Sequence, residues 1–362
     1  MSENMQFEDH IGGEENDAVF VETLPSAPSE RSVKKTFSTL GFGLAAYAAV
    51  SLVVALIIQL VAMAINNDVA ESAVFLNIVS PVALYLFALP CLLGVLALFG
   101  VKGEALSKKR VGFLTLLLIF VISFGFMYIG SFTGQGVMWC LSEVVGYNYS
   151  NALASMIDYK YMWVTFICMC IVAPIGEELV FRKLIIDRTH KYGGFVSIFF
   201  SGLIFGLMHA NFYQFFYAFA LGLILGYLYY TSGNVWYCIG IHAGVNFVGS
   251  ILTSYLDLGA TNMNEALETV DFNNLDAMLS FYGEYWFVMV ALLVFFAFVV
   301  ISMLSAIVLP IVLRKRIALE RGEPALPRKR AFSLAFLNVG AVVMIAVYVF
   351  EFVLNLLPTR VG

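Results

Sequence analysis

The sequence predicts an all-α protein, a polytopic membrane helix bundle with about eight or nine transmembrane helices. Three observations carry that expectation. Of its 362 residues 61% are hydrophobic and 12% charged, and mean hydropathy is +0.88. A soluble globular domain carries about 25% charged residues, so this chain lacks the polar groups to cover a water-facing surface. Apolar runs long enough to cross a ~30 Å hydrocarbon core recur along the chain. Lys and Arg gather in alternate loops between those runs, as they do on one side of a membrane.

Residues 1–38 read as a disordered, acidic cytoplasmic tail. The first thirty residues hold eight acids (Glu3, Glu8, Asp9, Glu14, Glu15, Asp17, Glu22 and Glu30) and no Lys or Arg. That composition cannot bury a core, and it is the opposite of the positive start of a secretory signal. Residues 39–160 hold the N-terminal transmembrane helices, expected at 40–65, 74–100 and 112–131, the third with room to continue toward Leu141. Residues 161–256 form a core of four more, at 161–186, 195–211, 213–231 and 235–256. Residues 257–283 read as an acidic extracytoplasmic loop, with Asp257, Glu265, Glu268, Asp271 and Asp276 and no basic residue. Residues 284–362 supply the last two helices, at 285–313 and 331–357.

Basic clusters set the orientation. Arg31, Lys34 and Lys35 precede the first helix. Lys102, Lys108, Lys109 and Arg110 follow the second, and Arg182, Lys183, Arg188 and Lys191 end the fourth. Arg314, Lys315, Arg316, Arg321, Arg328, Lys329 and Arg330 follow the eighth. With nine spans all of these fall on one side. The expected topology is a multi-pass plasma-membrane protein with the N-terminus cytoplasmic and the C-terminus outside. Net charge is -5, and the chain after residue 30 carries about +3. Neither value gives a reason to expect nucleic acid. The five cysteines sit in or near apolar segments and read as packing residues. Glycines four apart recur in three consecutive helices (Gly202 and Gly206, Gly222 and Gly226, Gly240 and Gly244), a spacing that lets helix backbones approach closely.

Ionisable residues inside a bilayer cost at least about 2.5–3.5 kcal/mol each, so they mark function by default. Those embedded in apolar runs are Glu177, Glu178, Arg182, His209, His242 and Glu351. Glu178 and Arg182 are four apart and share a helix face, which suits an ion pair. Glu177 is rotated about 100° away and is left free for general acid or base work. His209 follows Phe205 by one turn, and His242 and Asn246 share a face. Glu177 and His209 lie equally far, about 24 Å, from the turn near Gly193, so they meet at one level. That level is the cytoplasmic half or the middle of the membrane. Pro174 removes a helix hydrogen bond just before the carboxylates.

A carboxylate and an imidazole can hold and deprotonate a water. A second imidazole and a carboxamide can donate to a developing oxyanion. The same residues also allow another reading: Glu177, His209 and His242 make a His₂Glu set suited to zinc, although the compact His-Glu-x-x-His signature is missing. A lone histidine in either helix is most simply a helix–helix hydrogen bond. It is the convergence of six polar residues that favours a site. Glu351 stands alone near the C-terminal end and reads as protonated or as reaching the interface.

At these residues the sequence resembles the type II CAAX prenyl endopeptidase and bacteriocin-processing family of membrane peptidases. The matching motifs are Glu177-Glu178-Leu179-Val180-Phe181-Arg182, Phe205-Gly206-Leu207-Met208-His209 and His242-Ala243-Gly244-Val245-Asn246. Lys183 stands where many members of the family have glycine. The resemblance covers residues 160–255. It implies that Glu177 and His209 activate the attacking water, that His242 and Asn246 stabilise the oxyanion, and that Glu178, Arg182 and Phe205 support the site. It implies an intramembrane endopeptidase acting on a membrane-associated or lipidated protein or peptide, with membrane lipids as its surroundings. Two other classes compete. A catalytically silent scaffold or bacteriocin-immunity factor would keep the fold without needing the residues. A proton-coupled transporter would need further polar residues in the outer helices, where few occur.

Overall fold

The computed structural model describes residues 28–147, 149, 151, 156–315, 317 and 326–357 of the chain. Among the described residues there are helices and no strand. Apart from a single short turn of helix at Asn67–Glu71, they are in chain order α1 (Glu30–Ile65), α2 (Ala73–Leu98), α3 (Phe113–Val145), α4 (Tyr159–Tyr192), α5 (Gly194–Leu207), α6 (Phe212–Ser232), α7 (Val235–Thr269), α8 (Leu275–Val312), α9 (Arg328–Phe336) and α10 (Val339–Asn355). Seven of them are long and apolar enough to cross a membrane, and α9 with α10, bent by 62°, makes an eighth if the pair is one span. The protein is a polytopic helical membrane bundle.

Three expectations need correction. The fifth helix, expected over 195–211, stops at Leu207 after 14 residues, about 21 Å and short of the hydrocarbon core. Ala210 takes a left-handed backbone (φ 51°) and Asn211 caps α6 by accepting from Gln214 N, so Met208–Asn211 form a turn. The acidic tail, expected to reach residue 38, gives way to α1 at Glu30, where the Ser29 side chain accepts from Ser32 N. Residues 1–27, with seven of the eight acids, lie outside the described residues, as do Arg316 and Arg321. The expected loop 257–283 is mostly helix. α7 runs on through Thr269, and Asn274 starts α8 by accepting from Asp276 N and Ala277 N. Both helices are then over 50 Å long at 1.5 Å per residue, so they project well beyond a ~30 Å core.

Contacts sort the helix ends into two sets. At one end Lys191 pairs with Glu104 at 2.7 Å, Arg188 Nε donates to Val101 O, and Lys109 N donates to Ser232 O. Arg330 grips Glu30 through two bonds at the same end. At the opposite end Asn77 donates to Met156 O, Tyr213 to Tyr149 O, Tyr149 to Leu356 O and Asn355 to Ala210 O. The start of α1 and the end of α10 are therefore at opposite ends. Among the described Lys and Arg residues, only Lys160 belongs to the second end.

Two glycine crossings draw the bundle together. Gly41 of α1 and Gly340 of α10 meet backbone to backbone, leaving no room for a Cβ at either. Gly202 of α5 lies against Gly222 of α6 in the same way. Gly240 faces open space, so the third glycine pair expected at a contact contributes only through Gly244, which packs on Phe120. The outer face of α8 leaves Phe287, Leu293, Val294, Phe296, Ile301 and Leu304 58–68% exposed. In water that surface would drive aggregation, whereas in lipid it is the solvated face. The core gathers where α4 meets α1, α5, α6 and α7.

Candidate active site

The regular stretch Ala173–Glu178 of α4 is flanked by wide turns at Phe166–Val172 and Leu179–Ile186. Pro174 has no N–H to give, and just before it the Ala173 N–H reaches back five residues to Cys168 O. Another wide turn, Phe247–Leu252, directly follows Asn246 in α7. Such bulges re-aim side chains and recur at functional sites. Between these bulges Glu177 and Glu178, adjacent in sequence, both approach the same imidazole.

That imidazole is His242. Its Nδ1 lies 2.9 Å from Glu178 Oε1, and its Nε2 lies 3.7 Å from Glu177 Oε2. A carboxylate at Nδ1 holds the proton there and orients the ring. Glu178 and Arg182 are both fully buried, with Arg182 Nε 2.8 Å from Glu178 Oε2. This contact is off the hydrogen-bond line, since neither atom has a hydrogen-bond partner. The directed bond is from the guanidinium Nη2 to Oε1, at 3.2 Å. Nη1 donates to Ser201 Oγ at 3.1 Å, and Ser201 donates in turn to Phe181 O at 2.6 Å. The expected ion pair is therefore present, and it also buttresses His242.

Phe205 sits at the centre. Its ring is 5.4 Å from that of His209 and 5.6 Å from that of His242, edge-on to both. The Arg182 guanidinium lies over it at 4.8 Å. Phe205 thus spaces the two imidazoles and covers the buried cation with a π-face. His209, expected on a helix, occupies the turn after α5. Its Nδ1 is 2.9 Å from Phe205 O, a contact that is attractive only if Nδ1–H donates, which leaves the Nε2 lone pair free. Asn211 donates to His209 O and Asn355 to Ala210 O, so the turn is held from both sides. Asn246 spends one N–H on Met169 O at 2.8 Å, and an amide NH₂ keeps a second.

Glu177, Phe205, His209, His242 and Asn246 all border one cavity of about 690 Å³. From mid-bundle it runs out to Asn151, Met156, Ala210 and Asn355, at the end away from the basic loops. The turn carrying His209 lies toward that end, separated from the basic loops by the 14 residues of α5. Sequence reasoning missed the Glu178–His242 contact, Ser201, and the presence of Glu351 and Asn355 on the cavity wall. Ser201 could have been found, since it lies four residues before Phe205 and eight before His209, on one face of α5. The Glu178–His242 contact joins residues 64 apart and leaves no local signal.

The zinc candidates Glu177, His209 and His242 share the cavity. Among the described residues, however, no group of three or more His, Cys, Asp or Glu side chains is placed to hold a metal ion. His242 faces carboxylates through both nitrogens, and His209 commits Nδ1 to a carbonyl. The donors as arranged do not make a three-ligand set.

Residues 159–248 match the family model of type II CAAX prenyl endopeptidase Rce1-like proteins. The Rce1-like segment contains Glu177, Glu178, Arg182, Phe205, His209, His242 and Asn246, and it leaves Glu351 and Asn355 outside. The chain is also similar to a Bacillus subtilis (strain 168) protein named "Putative membrane peptidase YdiL", with 28% identity over 158 residues. That alignment covers 36% of this chain and 64% of the relative, so the chain spans under two thirds of the relative's length. No solved structure matches. The motifs, the bundle and the family match together mark the chain as similar to membrane peptidases.

Proposed function

We propose that the protein is an intramembrane endopeptidase that hydrolyses a peptide bond of a membrane-associated or lipidated protein or peptide. The observation supporting this best is the single cavity shared by Glu177, His209, His242 and Asn246, with the Glu178–Arg182 pair buried behind it. A water held between Glu177 and His209 Nε2 gives its proton to Glu177 as its oxygen bonds to the scissile carbonyl carbon. The carbonyl oxygen becomes an oxyanion that accepts from His242 Nε2–H and from the remaining Asn246 N–H. Glu178, itself balanced by Arg182, stabilises the His242 imidazolium that makes this donation. The C–N bond then breaks, and the Glu177 carboxylic acid returns its proton to the leaving amine, so atoms and charge balance. Each acid–base group contributes typically 10²–10⁴-fold.

On the positive-inside rule the basic loops are cytoplasmic, with the N-terminus inside and the C-terminus outside the plasma membrane. The cavity then faces the extracytoplasmic side. Substrate trapping tests the assignment. Purified Glu177→Gln protein, incubated with membranes and analysed by mass spectrometry, should retain a membrane peptide that the wild type releases as two fragments. A scaffold would bind the same partner before and after the substitution and release no fragments.

A further inference from the structure

The charge-bearing side chains on the cavity wall are Glu177, His209, His242 and Glu351, with no Lys, Arg or Asp among them. Three belong to the chemistry above. Glu351 does not, and it comes from α10, outside the Rce1-like segment.

Its position is built. Asn355, one turn further on the same helix face, donates to Ala210 O at 2.9 Å beside His209. Phe352 packs its ring on Phe212 at 5.1 Å and on Phe215 at 6.0 Å. Met344 and Tyr348, at the preceding turns, are buried. The helix therefore presents Glu351 to the cavity from a fixed mount. Among the described residues the Glu351 carboxylate has no ion pair and no hydrogen bond, unlike Glu178, which is paired with Arg182 and His242. An unmatched carboxylate on the wall of an apolar cavity is costly by itself and becomes favourable when a ligand brings the counter-charge. Apart from the three groups of the chemistry, the polar side chains on this wall, such as Gln135, Ser131 and Gln214, are neutral. A cavity of about 690 Å³ is in the range that encloses a drug-sized ligand, and Glu351 and Glu177 both border it.

We propose that Glu351 is the receptor for a positive charge on the substrate. The cavity selects a peptide with an ammonium or guanidinium group close to the cleaved bond, from a Lys or Arg side chain or from a free N-terminal amine. This rests on the peptidase reading for the word substrate, while the binding preference itself does not need turnover.

The test uses the full chain in nanodiscs and palmitoylated, internally quenched decapeptides of Ala, Leu and Gly. One Lys, or its uncharged isostere norleucine, is scanned along them, and the N-terminus is free or acetylated. Affinity is read by fluorescence anisotropy on Glu177→Gln protein, and cleavage on protein with Glu177 intact. With Glu351 present, one Lys position or the free amine is favoured about tenfold or more over its uncharged counterpart. The acetylated and norleucine arms tell which of the two it is. Glu351→Gln brings that ratio close to one, and Glu351→Lys inverts it in favour of a Glu-containing peptide. A ratio near one with Glu351 intact, or a preference that survives Glu351→Gln, overturns the proposal. Binding preference without cleavage of any peptide leaves the subsite standing and counts against the hydrolytic assignment instead.

Discussion

Replacing Arg182 by Met tests the architecture behind the site. The guanidinium reaches Glu178 through Nε at 2.8 Å and Nη2 at 3.2 Å, and Ser201 through Nη1 at 3.1 Å, with no exposure on either charged side chain. Methionine fills much of the same volume but leaves Glu178 as a buried charge facing only His242, and Ser201 without its donor. Breaking a buried pair by removing one partner costs about 3–5 kcal/mol. The unpaired charge dominates that cost, so Glu178→Gln/Arg182→Met should recover part of it, with a coupling energy of about 0.5–3 kcal/mol. Reversible unfolding in mixed micelles, titrated with a denaturing detergent, measures both. An Arg182→Met variant within about 1 kcal/mol of wild type, or a double variant that merely sums the single losses, would refute the reasoning.

Other outcomes follow from the same contacts. Asn246→Ala removes one oxyanion donor and should lower kcat by about 10²–10³ with little change in KM, as read from single-turnover cleavage. Asn355→Ala releases the carbonyl of left-handed Ala210 and should cost about 1 kcal/mol in the same unfolding titration, with a several-fold fall in turnover. Gly340→Ala forces a methyl into the Ser38 backbone and should cost about 1–3 kcal/mol, while Gly240→Ala, which faces open space, should stay within about 0.5 kcal/mol. In a cysteine-free background, Asn273→Cys should react with an impermeant thiol reagent on intact cells, and Lys108→Cys only after lysis.

The bundle was legible because lipid demands long apolar runs, and such runs survive in a single sequence. The basic loops were legible for the same reason, and the helix ends they predicted are the ends the contacts bring together. Spacing within one helix also read well, since Glu178 does pair with Arg182 and Phe205 does sit one turn from His209. Relations between helices did not. Neighbouring carboxylates 100° apart on a regular helix were expected to part company, but a single ring, His242, turns a different nitrogen to each, in a stretch flanked by wide turns. Those turns leave no trace in a 3.6-residue periodicity. The stretch 257–283 read as a loop because it is polar and acidic. A helix that projects beyond the membrane is under no pressure to be apolar, so composition there says nothing against helix. Glu351 read as a lone acid, protonated or reaching the interface, because only the fold reveals that α10 closes the cavity wall.

The central claim is that Glu177 activates a water within this cavity, and oxygen labelling tests it most directly. Wild-type protein in nanodiscs is given an intact membrane peptide substrate in H₂¹⁸O, beside Glu177→Gln. The account predicts one ¹⁸O in the new carboxyl terminus of the wild-type product and at least a 10²-fold loss of product with Glu177→Gln. Cleavage that persists within tenfold after that substitution would contradict it.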